Sequence, residues 1–184
     1  MTKIRSPLLA DIGRSYEYCR GGRVRKLMQL VRLPGVQSVC VYRLGNWLLC
    51  QNPLVRVFVE PIYFVLDTLI RIVWGIELPR ATKIGPGLYI GHFGGITVSS
   101  AAEIGSRCTL SPCITIGVSG EGSKQGVPII GDNVYVAPGA RLIGKIRIGN
   151  NVKIGANAVV YKDIPDNAVV VLDPGFKIIS IREP

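Results

Sequence analysis

One side chain in this sequence is suited to take up and return a proton near neutral pH, and it is His92, the only histidine among 184 residues. An imidazole ordinarily titrates near pH 6.5, so its neutral form is available as a general base. His92 lies in "YIGHFGGITVSSAAEIG" (89–105), flanked by Gly91, Gly94 and Gly95. The other reactive residue types offer less. Cys19, Cys40, Cys50, Cys108 and Cys113 form no CxxC pair and no metal-ligand spacing. Cys113 follows Pro112 at a turn, but no second histidine exists to activate it as a nucleophile. A single histidine also rules out a three-histidine metal site, so no catalytic metal is expected. The glycine-rich "GPGLYIG" (85–91) opens no helix and is discarded as a dinucleotide loop.

The element that must position His92 is written in a period of six. Aliphatic residues recur at Ile130, Val136, Leu142, Ile148, Ile154 and Val160. The positions four later, Val134, Ala140, Ile146, Val152 and Ala158, are aliphatic too. Upstream, Val98, Ile104, Leu110 and Ile116 keep the spacing, as do Ile84, Ile90 and Ile96. Neither a helix of 3.6 residues per turn nor a strand alternating every two residues produces this pattern. A β-solenoid does, with one short strand and one turn per hexapeptide and the aliphatic side chain pointing inward. Cys108, four residues after Ile104, falls at an inward position. The period breaks twice. Eight residues separate Ile90 from Val98, around His92, and fourteen separate Ile116 from Ile130, which predicts a protruding loop over 117–129. Repeat scaffolds carry function at such interruptions.

Residues 1–75 read as helix. "GGRVRKLMQLVRLPG" is expected to end at its Pro-Gly break, "VQSVCVYRLGNWLLCQN" follows, and Pro53 opens "PLVRVFVEPIYFVLDTLIRIVWG". In that last segment Arg56, Glu60, Asp67 and Arg71 form one narrow stripe on an otherwise apolar helix. Four charges and the internal Pro61 argue against a membrane span. Its apolar surface is expected to pack on sister subunits or to lie in the interfacial region of a bilayer. The formal charge of +10 is uneven, with residues 1–75 at net +7 and 76–184 at net +3. That bias suits an anionic membrane surface, or is simply a solvated face; nothing supports nucleic-acid binding beyond the charge itself. The start, "MTKIRSPLLADIG", has no apolar export segment. The expectation is a cytoplasmic protein with reduced thiols, with peripheral attachment to the inner face of the cytoplasmic membrane left open.

The hexapeptide pattern, together with "WGIELPRATKIGPGLYIGH" (74–92), "TLSPCITIGVSG" (109–120), "KIGANAVV" (153–160) and "PGFKII" (174–179), resembles the left-handed β-helix acyltransferases. The resemblance lies in their serine acetyltransferase branch, with exopolysaccharide O-acetyltransferases as relatives, and runs from about Asp11 to Ile179. It implies a mainly β chain: a left-handed parallel β-helix over 76–184, preceded by an α-helical region over 1–75 for assembly or membrane association. It implies that His92 is the general base, that Glu77, fifteen positions earlier, pairs with it, and that acetyl-CoA is the co-substrate. Gly117, Val118, Ser119, Ala156 and Lys177 fall where acetyl-CoA is contacted. Three identical subunits are implied, with the acetyl-CoA arm between neighbouring β-helices and a dimer of trimers left open.

At the positions where the serine-specific enzymes carry charges for their amino-acid acceptor, this chain has Gly91, Gln125, Gly126 and Val127. A zwitterion needs such partners on burial. The expected function is therefore acetyl-CoA-dependent O-acetylation of a sugar hydroxyl on a polysaccharide or lipid-linked glycan precursor. Serine O-acetylation for cysteine biosynthesis is the alternative, followed by a non-catalytic trimeric scaffold.

Overall fold

The computed structural model describes residues 6–122 and 125–172. Fourteen short strands make three parallel sheets in this region. The first face holds β1 (Ile76–Glu77), β4 (Ile96–Val98), β7 (Thr115–Gly117), β10 (Arg141–Ile143) and β13 (Val159–Val160). The second holds β2 (Lys83–Ile84), β5 (Glu103–Ile104), β8 (Ile129–Ile130) and β11 (Arg147–Ile148). The third holds β3 (Tyr89–Ile90), β6 (Thr109–Leu110), β9 (Tyr135–Val136), β12 (Lys153–Ile154) and β14 (Val169–Val170). Every third strand is thus a neighbour in space, as in the predicted left-handed parallel β-helix.

Register gives the length of each coil. Arg141 pairs with Val159 and Thr97 with Thr115, a regular coil of eighteen residues. Ile76 pairs with Ile96, so the coil containing His92 is two residues longer. Thr115 pairs with Arg141, so the loop adds eight. All the aliphatic positions named above are buried in one continuous core, each Val, Leu or Ile among them contributing about 1.5–3 kcal/mol by leaving water. The corners between faces are held by ladders of short polar side chains. Asn133, Asn151 and Asn167 take left-handed backbone conformations, which asparagine tolerates, and pass amide hydrogen bonds up the stack at 3.0 Å each.

Cys108 is among the fully buried core residues. Burial pushes its thiol up from the ordinary value near 9 to about 11. A thiol whose folded pKa is raised stabilises the fold fully below the unfolded pKa, and that contribution is lost as pH climbs through the folded value. Stability to denaturant is therefore expected to decline between about pH 9 and 11, and to decline less in Cys108→Ala. In the native protein at pH 8, a thiol reagent should label the exposed Cys50 and Cys113 and spare Cys108 until denaturant is added.

Four helices precede the coils: α1 (Pro7–Tyr18), α2 (Arg23–Arg32), α3 (Pro34–Leu48) and α4 (Pro53–Trp74). α2 ends at the Pro-Gly break as expected, and the same Pro34-Gly35 step opens α3, with Leu33 capping both neighbours. Gly35 lies inside α3 because a Cβ there would overlap the carbonyl oxygen of Ile90. This close approach seats α3 on the third face, and Val39 and Tyr42 join the β-helix core. Asp11 of α1 and Arg43 of α3 form a buried ion pair at 2.7 Å against the 84–88 turn. Pro61 leaves α4 unbroken, and Gly75 ends it in the left-handed region at φ 60°. Among the described residues no helix is long and apolar enough to cross a membrane. The outer side of α4 nevertheless presents Leu54, Val57, Phe58, Phe64 and Ile72 to solvent.

Candidate active site

The corner between the third and first faces carries His92. The two extra residues of its coil make a bulging turn over 91–95, in which Gly94 and Gly95 both have positive φ, 107° and 63°. The turn is tied down from two sides. Gly94 N donates to the Trp74 carbonyl at 2.9 Å, and Gly94 O accepts from Cys113 N at 2.7 Å. The Phe93 ring packs on Trp74 with centroids 5.3 Å apart. A Cβ on Gly95 would press on Cys113 Cα at 3.2 Å, so both backbone conformation and space favour glycine there. The result is an anchored turn that holds the His92 side chain out in solvent.

Glu77 stands on the outward side of β1, next to Thr97 in register. Its Oε1 accepts from Arg71 Nη1 at 3.0 Å, and Arg71 Nε lies 2.8 Å from Asp67 Oδ2. No hydrogen bond or ion pair joins Glu77 to His92 among the described residues; Arg71 is the partner instead. Reading the charges of α4 as a stripe missed this role, because only the fold shows that the last turns of α4 overhang β1. An arginine six residues before an acidic strand residue was the available signal.

Ala156 is exposed on the same corner as His92. The stack runs from Gly94 to Cys113, from Pro112 to Gly139 and from Pro138 to Asn157, one backbone hydrogen bond per step. Three coils at about 4.8 Å each place Ala156 about 14 Å along the edge from the His92 turn. Gly117 ends β7 at the opposite edge of the first face, with Val118 exposed just beyond it. There Ser119 and Gly126 exchange two backbone hydrogen bonds, at 3.2 and 3.1 Å, and close the neck of the predicted loop. The candidate acetyl-CoA positions therefore border one face of the β-helix. Lys177 lies outside the described residues.

Residues 128–162 match the family model for bacterial transferase hexapeptide (six repeats). The chain is 35% identical over 146 residues to a serine acetyltransferase of Synechococcus elongatus, covering 79% of this chain and 57% of that protein. It is 35% identical over 145 residues to one of Helicobacter pylori, covering 77% of this chain and 80% of that protein. It thus spans less than two thirds of the Synechococcus relative and most of the Helicobacter one. Among solved structures, the serine acetyltransferase of Neisseria gonorrhoeae in complex with serine superposes with a TM-score of 0.74 at 28% identity, over 95% of this chain and 68% of that one. These matches correct the expectation of a sugar acceptor, because the relatives are serine acetyltransferases and not glycan-modifying enzymes. The expectation rested on Gly91 and 125–127 alone, positions that describe only the immediate chain neighbours of His92 and the protruding loop. By repeat, fold and relatives, this chain belongs to the hexapeptide-repeat transferases of the serine acetyltransferase family.

Proposed function

We propose that this protein transfers the acetyl group of acetyl-CoA to the hydroxyl of L-serine. The observation that carries this reading is a lone histidine held out on an anchored turn of the β-helix, in a chain 35% identical to serine acetyltransferases over most of its length. In the proposed reaction the serine hydroxyl gives its proton to His92 as its oxygen attacks the thioester carbonyl. Backbone N–H groups near Gly117 of a neighbouring copy, which meets the His92 edge when three copies are set side by side, stabilise the tetrahedral oxyanion. The intermediate collapses, the C–S bond breaks, and coenzyme A leaves with the proton returned by the imidazolium. Glu77 steadies the imidazolium by charge. No covalent enzyme intermediate is needed.

The 76–184 region is the transferase unit in this reading and 1–75 an assembly region. Three copies set side by side enclose the first face, whose outer surface includes the exposed Val118 and Val159, and the acetyl-CoA arm lies between neighbours along the His92 to Ala156 edge. We assign the apolar outer side of α4 to contacts between copies, in preference to an anionic membrane surface. The test is release of free coenzyme A thiol from acetyl-CoA with L-serine or with a neutral sugar as acceptor. Saturable turnover with L-serine is expected, with the sugar at background. Turnover with sugar and none with L-serine would sink the proposal.

A further inference from the structure

Helix α2 packs against α1 and α3, and four of its ten residues are cations. Its inner side is fixed. Leu30 is buried, Lys26 Nζ lies 4.8 Å over the Tyr16 ring, and Gln29 Oε1 accepts the Arg20 N–H at 3.1 Å. Its outer side carries Val24, Leu27, Met28 and Val31, which are 74%, 59%, 56% and 64% exposed. Their spacing of i, i+3, i+4 and i+7 puts them in one stripe. At about 100° per residue, Arg23 borders that stripe on one side, and Arg25 and Arg32 border it on the other. No acidic residue occurs between Glu17 and Glu60. Among the described residues, Arg20, Arg23, Arg25, Lys26 and Arg32 enter no ion pair.

An apolar stripe between two rows of arginine suits a partner that is anionic at its surface and apolar beneath. We infer that α2 lies flat on an anionic lipid surface, with Val24, Leu27, Met28 and Val31 below the headgroups and Arg23, Arg25 and Arg32 on the phosphates. Ten residues extend about 15 Å, half the hydrocarbon thickness, so the helix lies on the bilayer and does not cross it. Arginine suits the flanks, because its apolar stem runs along the stripe while the guanidinium reaches phosphate oxygens. A second α2 is a poor occupant, since its arginines would face like charges. Nucleic acid would use the arginines and leave the apolar stripe in water. The surface is also separate from the contacts assigned to neighbouring copies. Those use the first face and α4, whereas α1 and α3, on which α2 rests, pack on β3 of the third face.

The test is flotation of the full chain with vesicles of phosphatidylcholine alone, or of phosphatidylcholine and phosphatidylglycerol in equal parts. Wild type should float with the anionic vesicles at low salt, stay in solution with phosphatidylcholine alone, and detach as salt rises. Each cation near such a surface strengthens attachment about fivefold. Arg23→Gln, Arg25→Gln and Arg32→Gln together should therefore weaken it about 10²-fold. Leu27→Gln with Val31→Gln keeps every charge and should weaken it at least about tenfold, through the apolar area withdrawn from the bilayer. In Met28→Trp the added indole should shift its emission to the blue on anionic vesicles. All these side chains are exposed, so each variant should melt within about 3 °C of wild type. Wild type left in solution at low salt, equal flotation with both vesicles, or undiminished flotation of Leu27→Gln with Val31→Gln overturns the inference. A smaller oligomer for that last variant by light scattering also overturns it, because the stripe then belongs to a second copy. So does wild type that ignores vesicles and binds a DNA duplex. None of these outcomes bears on acetyl transfer to L-serine, which rests on other residues.

Discussion

His92→Ala should lower acetyl transfer to L-serine by about 10²- to 10⁴-fold, the range for loss of a positioned general base, with the fold unchanged. The side chain is exposed, so no core contact is lost and no cavity is made. The turn is held by backbone hydrogen bonds of Gly94 and by the Phe93–Trp74 packing, none of which uses the imidazole. The effect should appear in kcat, because a base acts on the proton in flight and contributes little to ground-state binding. Circular dichroism and melting temperature should match wild type, and acetyl-CoA affinity measured by calorimetry should stay within about threefold. Turnover within a few-fold of wild type in a folded variant would remove His92 from the mechanism.

The β-helix was legible because its physics is one-dimensional. Each hexapeptide repeats the same inward aliphatic positions and turns one corner, so a period of six survives in plain text from Ile84 to Val160. The two breaks in that period give the lengthened His92 coil and the inserted loop directly as register offsets. The helical region was less legible. Pro34-Gly35 is a stop signal by local chemistry, and only contact with Ile90 explains why a glycine sits inside α3. The partner of Glu77 was hidden for the same reason. Sequence showed which charges are missing next to His92, but not that α4 crosses β1 and delivers Arg71 to Glu77. A repeat reveals its own neighbours by counting; a helix docked on its end does not.

The least visible feature in the sequence carries the second large effect. Asp11→Ala should destabilise the fold by about 3–5 kcal/mol, the usual consequence of removing one partner from a buried ion pair. The Asp11 carboxylate accepts from Gly87 N at 2.7 Å, Leu88 N at 2.8 Å and Arg43 Nε at 2.7 Å. Truncation strands two buried amides and a guanidinium whose side chain is 9% exposed. Arg43 keeps its bonds to the Ile84 and Gly85 carbonyls, which hold the uncompensated charge in place. For a chain of this size the melting temperature should fall by roughly 6 to 20 °C. The control is Lys83–Glu103, which has the same 2.7 Å separation but side chains 78% and 44% exposed. Glu103→Ala should cost under about 1 kcal/mol, because water already solvates both charges. Replacing Asp11 and Arg43 together by apolar residues should destabilise less than the sum of the single changes, since neither charge is then left alone. A melting temperature for Asp11→Ala within about 2 °C of the Glu103→Ala value would show that the helices are held to the β-helix by apolar packing of Val39 and Tyr42 rather than by this bolt.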